Sequence, residues 1–281
     1  MILRCISNRT AKLQWILRRE LRISDGLVRR LKPQNAFTVN GEIAHTNRIV
    51  QAGDVVEARI EEQTPEFPAE DGPLHIVYED ESIIVLDKSA GVIVHPTYNR
   101  EGGTLANYLL GYYQKTGQHC AVHVLTRLDR DTMGLVLFAK NAYVHALLMD
   151  AQAAGEVRKT YMAKTSGWLD TDEGRIELPI ARLAPGSLLR CVREDGKKAV
   201  TEYRVLSRGT ENSREEALLE LHPVTGRTHQ LRVHCAHLGH PILGDPQYGG
   251  GTGGQRLVCK QIAFRHPLTD EPLEFQSEFD P

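Results

Sequence analysis

Between Lys12 and Leu31 the apolar positions recur at helical spacing. Leu13, Ile16, Leu17 and Leu21 mark one face, with Arg18, Arg19 and Arg22 between them. Ser24-Asp25 offers a cap for a second helix running through Val28 to Leu31, whose exposed side carries Arg29, Arg30 and Lys32. Asn40-Gly41 signals a tight hairpin between Phe37–Val39 and Glu42–Ala44, and Asp54 precedes a strand over Val55–Ile60. These elements predict one small unit within residues 1–62. The acid- and Pro-rich stretch that follows, residues 63–74, reads as an extended linker. From His75 onward the pattern turns β-rich. Short apolar or alternating runs predict strands at Ile76–Tyr78, Ile83–Asp87, Val92–His95, Leu135–Ala139, Lys159–Lys164, Thr201–Leu206, Ala217–His222 and Ile262–Phe264. Helices are predicted only at Gly103–Lys115 and Ala142–Ala154. Strands without regular helical crossovers predict an α+β fold with a large, mainly antiparallel mixed sheet across residues 75–281.

Two charged islands interrupt this pattern. In the first, Asp129 and Asp131 sit among Arg127 and Arg130, directly before Gly134 and the apolar run Leu135–Ala139. Such a run after a glycine predicts a buried strand, so charge is placed at the mouth of a buried element. A buried carboxylate is costly unless a cation pairs with it. The island is therefore either a structural ion pair or a prepared catalytic acid. The second island is Val224–His237. Alternation across His229–Val233 fits a strand, and from His229 onward a helix fits equally well. Arg227 and Arg232 are the candidates to meet the Asp129 cluster.

Composition narrows the function classes. Hydrophobic content of 41% and charged content of 25% suit a globular protein. No apolar run approaches the length of about 18 residues that a membrane helix needs, and Met1–Thr10 lacks the apolar core of a secretion signal. Cys5, Cys120, Cys191, Cys235 and Cys259 are scattered, which suits reduced thiols in the cytoplasm. The net charge of −2 hides an asymmetry: residues 1–60 hold eleven Lys/Arg against five acids, leaving the remainder at −8. A basic module on an acidic body points to an anionic partner. His229, His234, Cys235, His237 and His240 invite a metal, but no pair has structural-zinc spacing and His-Glu-x-x-His is absent, so no metal is expected. No Gly-x-Ser-x-Gly elbow supports a serine hydrolase. The Gly249–Gly254 run lacks the Gly-Lys-Ser/Thr ending of a phosphate loop and reads as a flexible surface loop.

Taken in order, the motifs carry a resemblance. Arg127-Leu128-Asp129-Arg130-Asp131-Thr132 followed by Gly134 resembles the catalytic motif of the RluA-type pseudouridine synthases. Lys88–Pro96, Lys159-Thr160-Tyr161, Ala199–Thr201, Thr225–His234, Gly239–Tyr248 and Phe264–Pro267 match in the same order across residues 75–281. The basic N-terminal unit, with its Val39-Asn40-Gly41 turn and Gly53-Asp54 step, resembles the S4 RNA-binding module. The chain departs from the family at Ser89, where Pro is frequent, at Thr126 and Met133, where His and Ser are common, and at Val258, where His is frequent.

The resemblance implies isomerisation of uridine to pseudouridine in RNA, with ribosomal RNA favoured over transfer RNA as the partner. The rearrangement requires no cofactor. It assigns Asp129 as the essential carboxylate, acting on the sugar, on the base, or by abstracting a ribose proton. Arg232 is its cationic partner, since a nearby guanidinium favours the ionised form. Tyr161 would lie against a uracil taken out of its stack. Leu257 would form an apolar wall, Arg127, Arg130 and Arg227 would contact substrate RNA, and Asp131 would support the loop. Arg18, Arg19, Arg22, Arg29, Arg30 and Lys32 would neutralise phosphates without reading bases. The expected protein is a cytoplasmic monomer with no membrane contact. The alternative is an RNA-binding, ribosome-associated factor without catalysis.

Overall fold

The computed structural model describes residues 1–62, 65–97, 100–211 and 213–281. Its N-terminal unit runs from β1 (Ile2–Ile6) through β2 (Ala11–Lys12), α1 (Leu13–Arg19), α2 (Asp25–Leu31), β3 (Phe37–Val39), β4 (Glu42–Ile43) and β5 (Ile49–Val50) to β6 (Val55–Arg59). Leu13, Ile16 and Leu17 of α1 and Leu27, Val28 and Leu31 of α2 are buried, as the periodicity predicts. Ser24 Oγ accepts the Leu27 N–H and caps α2. Asn40 and Gly41 take φ of 52° and 83°, the positive pair that a two-residue hairpin turn requires. The sheet order is β1-β6-β3-β4. Strand β1 lies outside the predicted elements. Leu3 and Cys5 face the core, while Ile2 and Ile6 face outward beside Arg4, so apolar residues on both faces hide its period.

The larger unit contains β7 (Ile76–Glu79), β8 (Ile83–Lys88), α3 (Leu105–Lys115), β9 (His123–Val124), β10 (Met133–Ala139) and α4 (Ala142–Ala153). It continues with β11 (Arg158–Ser166), β12 (Glu173–Glu177), β13 (Ile180–Arg182), β14 (Arg190–Val192), β15 (Val200–Glu211) and β16 (Arg214–Pro223). It ends with α5 (Gln230–His237), β17 (Leu257–Arg265) and β18 (Pro272–Gln276). The principal sheet runs β12-β15-β16-β11-β17-β10-β8-β7, with β18 added to β17 and β9 to β10. Only the β10–β17 pairing within it is parallel. This is the large, mainly antiparallel mixed sheet that the pattern predicts. The run Leu135–Ala139 is wholly buried at its centre. Gly134 has φ of 104°, and a Cβ there would come within 2.3 Å of the Cys259 carbonyl oxygen. Only glycine lets β10 close on β17 at that point.

Two expectations are corrected. Val92–His95 is not a strand: the carbonyls of Ile93 and Val94 accept the Leu105 and Ala106 N–H groups, so the segment satisfies free donors at the start of α3. The linker, whose residues 63–64 lie outside the described residues, is elsewhere a packed strap. Phe67, Ala69 and Leu74 lie on the main core, Asn107 donates to the Pro68 carbonyl at 2.7 Å, and Glu70 accepts the Gly103 N–H at 2.8 Å. The glycine run lies at the surface: Gly249 and Gly251–Gly254 are exposed, and only Gly250 packs inward, its carbonyl accepting the Gly244 N–H and its N–H donating to the Asp245 carbonyl.

The two units meet in the core of the N-terminal one. Ala142, Tyr143 and Leu147 of α4 complete the N-terminal cluster, and the Tyr143 hydroxyl donates to the Leu21 carbonyl at 2.9 Å. Glu62 accepts the Ala142 N–H at 2.7 Å and pairs with His123 Nε2 at 3.0 Å. Arg30 is half-buried at this seam, where its charge acts on Glu62 and His145. It is therefore not on the fully exposed basic face, as its helix position alone suggested.

Candidate active site

The first charged island becomes the loop joining β9 to β10, and its end is set by the sheet. Met133 pairs with Val258, Gly134 pairs with Cys259, and Cys259 pairs with Tyr161 on its other side. The loop carrying Asp129 thus stands over the start of β10 and β17, beside Tyr161 of β11. The Thr132 N–H closes the loop on the Asp129 carbonyl.

The second island contributes α5, which settles the strand-or-helix question in favour of a helix. Arg232 reaches across from it. Its Nη1 donates to Asp129 Oδ2 at 3.0 Å, over a sequence separation of 103 residues. The rest of the guanidinium is held from behind. Nε and Nη2 donate to the two oxygens of Asp245 at 2.6 and 2.8 Å, and Nη2 also donates to Gln247 at 2.6 Å. Asp245 is fully buried, and the Arg232 side chain is 7% exposed. Burial works against the Arg232 charge, but Asp245 and Asp129 outweigh it and hold the group above its ordinary pKa. The network continues: Gln255 donates to Asp245 and accepts from the Thr132 hydroxyl at 2.6 Å, which returns to the Asp129 loop. The face of Tyr248 covers the guanidinium at 4.9 Å.

His229 is the N-cap of α5, with φ of 57° in the left-handed region. Its Nε2 lies 3.8 Å from Asp129 Oδ2, and its Nδ1 lies 2.7 Å from the Tyr248 hydroxyl. That hydroxyl also accepts the Arg190 N–H. Burial holds His229 below its ordinary pKa, against the pull of Asp129. Tyr161 is buried, and burial pushes its phenol well up, with Cys259 and Asp129 adding to the effect. A neutral ring beside the carboxylate can stack on a base. Leu257 is buried at the start of β17, opposite Ala163.

Lys88, fully buried at the end of β8, donates to the Ser89 and Arg130 carbonyls at 3.0 and 2.8 Å. It clamps the Asp129 loop from below. Burial draws its pKa from 10.5 down to about 8, opposed by Asp131 and Asp129. The folded-state value lies below the ordinary one, so the native protein releases this proton first as the pH rises. Activity is expected to fall along an alkaline limb centred at about 8. Lys88→Met should lower the rate and abolish that limb. A wild-type pH–rate profile that stays flat between about pH 7 and 9 would rule out this role.

Other expected site residues fall elsewhere. Arg227 does not meet Asp129: it is exposed and its Nε donates to the Lys198 carbonyl at 2.9 Å. Arg127 and Arg130 are exposed on the loop, and Arg130 forks onto Asp131 at 2.8–3.2 Å. That pairing holds Asp131 below the ordinary carboxylate range. Thr126, one of the departures from the family pattern, is 2% exposed and its hydroxyl accepts the Leu137 N–H. His234 and His240 hydrogen-bond to protein partners, Thr201 with Leu178 and Ser166 respectively. Sequence reasoning did not select Asp245, Gln247, Gln255, His229 or Tyr248 as site residues. The available signal was the need of a buried arginine for more than one anionic partner.

Comparison with known proteins identifies the family. A family model described as RNA pseudouridylate synthase matches residues 82–237. The protein named Uncharacterized RNA pseudouridine synthase YjbO, from Bacillus subtilis, is 39% identical over 244 residues, covering 85% of each chain. Ribosomal large subunit pseudouridine synthase D of Vibrio cholerae is 36% identical over 263 residues, covering 87% of this chain and 80% of its own. The solved structure of Human RNA Pseudouridylate Synthase Domain Containing 1 superposes with a TM-score of 0.62 at 27% identity, covering 75% of this chain and 86% of that one. The chain belongs to the RNA pseudouridylate synthase family. It is an enzyme that isomerises uridine to pseudouridine in RNA, which sets aside the non-catalytic alternative.

Proposed function

We propose that this enzyme modifies uridines of ribosomal RNA, that Asp129 carries the chemistry, and that an S4-like module in residues 1–62 docks the RNA. The observation that carries the reading is the Asp129–Arg232 pair at 3.0 Å, held beside Tyr161. In the reaction the N1–C1′ bond breaks, the uracil turns, and a C5–C1′ bond forms. C5 loses its hydrogen and N1 gains one, so atoms balance without a cofactor. Asp129 supplies the carboxylate, by attack or by proton abstraction. Arg232 fixes its position, and Tyr161 and Leu257 form the wall against which the extruded base rests. Arg127 and Arg130, exposed on the same loop, would meet substrate phosphates, as would the exposed Arg227. Relatives named for the large ribosomal subunit support the ribosomal target. The exposed Arg18, Arg19, Arg22, Arg29 and Lys32 support docking by phosphate neutralisation.

Asp129→Asn is expected to reduce tritium release from 5-tritiated uridine RNA by about a thousandfold or more, while the protein still binds that RNA. Full activity in this variant would end the assignment of Asp129. Loss of a pseudouridine from ribosomal RNA when the gene is deleted, restored by the wild-type gene and not by the variant, identifies the target.

A further inference from the structure

The basic face of the N-terminal unit carries an aromatic residue that phosphate neutralisation does not need. Trp15 of α1 is 36% exposed. Arg18 and Arg19 lie three and four positions further along, on the same helical face, and Arg22 follows just past the helix end. The guanidinium of Arg9 already lies over the indole, 4.6 Å from the ring centre. All four arginines are exposed, and among them Arg18 is paired with Asp25 at 2.9 Å. An accessible indole inside a patch of arginines suits a ligand that is both planar and polyanionic. A duplex offers phosphates but keeps its base faces stacked. Single-stranded RNA offers both.

We propose that Trp15 is a stacking platform for one unpaired base of the docked RNA. Arg9 covers the ring in the free protein and moves to the phosphate of the stacked nucleotide when RNA binds. A guanidinium is a flat π-partner, so a base can take the place it vacates. The platform gives the module a preference for a loop or bulge beside the helix whose phosphates the arginines grip. This rests on the reading of the module as the RNA-docking unit.

The chain has two tryptophans, so Trp168→Phe leaves Trp15 as the sole indole reporter. In this otherwise intact enzyme, a single-stranded oligoribonucleotide is expected to quench Trp15 fluorescence, and a duplex of equal length is expected to bind without quenching. Adding Trp15→Ala should weaken single-strand binding roughly tenfold, the equivalent of about 1.4 kcal/mol. Trp15→Phe should recover part of that loss, which separates stacking from a merely structural role. Equal single-strand affinity for the Ala variant, or equal quenching by the duplex, would overturn the platform while leaving phosphate docking intact. If neither RNA binds in a salt-dependent way, the docking reading falls and the platform falls with it. Tritium release by the same protein remains an independent test of the catalytic assignment.

Discussion

Asp245→Asn is expected to lower kcat by about a hundredfold with little change in KM, and to destabilise the fold by about 3 kcal/mol. The reasoning starts from burial. Arg232 donates four short hydrogen bonds, two of them to a carboxylate that solvent does not reach. Asparagine keeps the shape but removes the charge and one acceptor. The guanidinium then keeps Asp129 as its only carboxylate partner, and in the proposed mechanism Asp129 must serve both as counter-ion and as reactive group. Breaking a buried pair from one side costs about 3–5 kcal/mol, and the surviving contacts to Gln247 and Asp129 place this case at the low end. The melting temperature should fall by roughly 6 °C in a chain of this size. The rate falls for a separate reason: an Arg232 free to tilt no longer fixes Asp129, and misplacement by about 1 Å can cost a hundredfold. Thermal melting and tritium-release kinetics measure the two effects separately. A stability loss with unchanged kcat would show that Asp245 braces the fold and not the reaction.

Part of this arrangement was legible in the sequence. The carboxylate at the mouth of a buried strand was readable from Asp129 and Leu135–Ala139, because a short, continuous apolar run opened by a glycine has no polar face to leave in water. The partnership with Arg232 came from the family resemblance, since no local pattern joins residues 103 positions apart. The role of Asp245 was hidden by its setting, because Gly-Asp-Pro reads first as a turn and the turn is real. Helix α5 was ambiguous for a different reason. Gln230 through Cys235 are all buried, so neither a helical nor an alternating period survives in that segment. Arg227 and Arg30 show the converse limit. Each has the right charge, but a backbone carbonyl holds one and the seam between units takes the other, and composition records neither. The strap from Phe67 to Leu74 looked like a linker because its polar groups are satisfied by Asn107 and Gly103, far away in the chain.

Deleting residues 1–62 is expected to produce a poorly soluble protein that melts roughly 6 °C or more below the full chain, and not a free-standing catalytic unit. An extended linker over residues 63–74 would instead allow a clean excision that leaves the pocket folded. The seam decides between them. Removal of the module exposes Tyr143, which is 7% exposed in the intact chain, and Leu147, which is 5% exposed. Re-exposing two such side chains forfeits roughly 3 kcal/mol or more, and it opens a contiguous apolar patch on α4 that invites association. The Tyr143 hydroxyl loses the Leu21 carbonyl, and the start of α4 loses the Glu62 carboxylate. His123, the first residue of β9, loses the same carboxylate, and β9 leads into the Asp129 loop. The damage therefore reaches the active site through the strand that begins its loop. Leu147→Glu offers a check in both directions. In the truncated protein it should restore a monodisperse peak in size-exclusion chromatography. In the full chain it should loosen the module, seen as faster proteolysis between the two units. A truncated protein that stays monodisperse and melts with the intact enzyme would mean that the seam contributes nothing to stability.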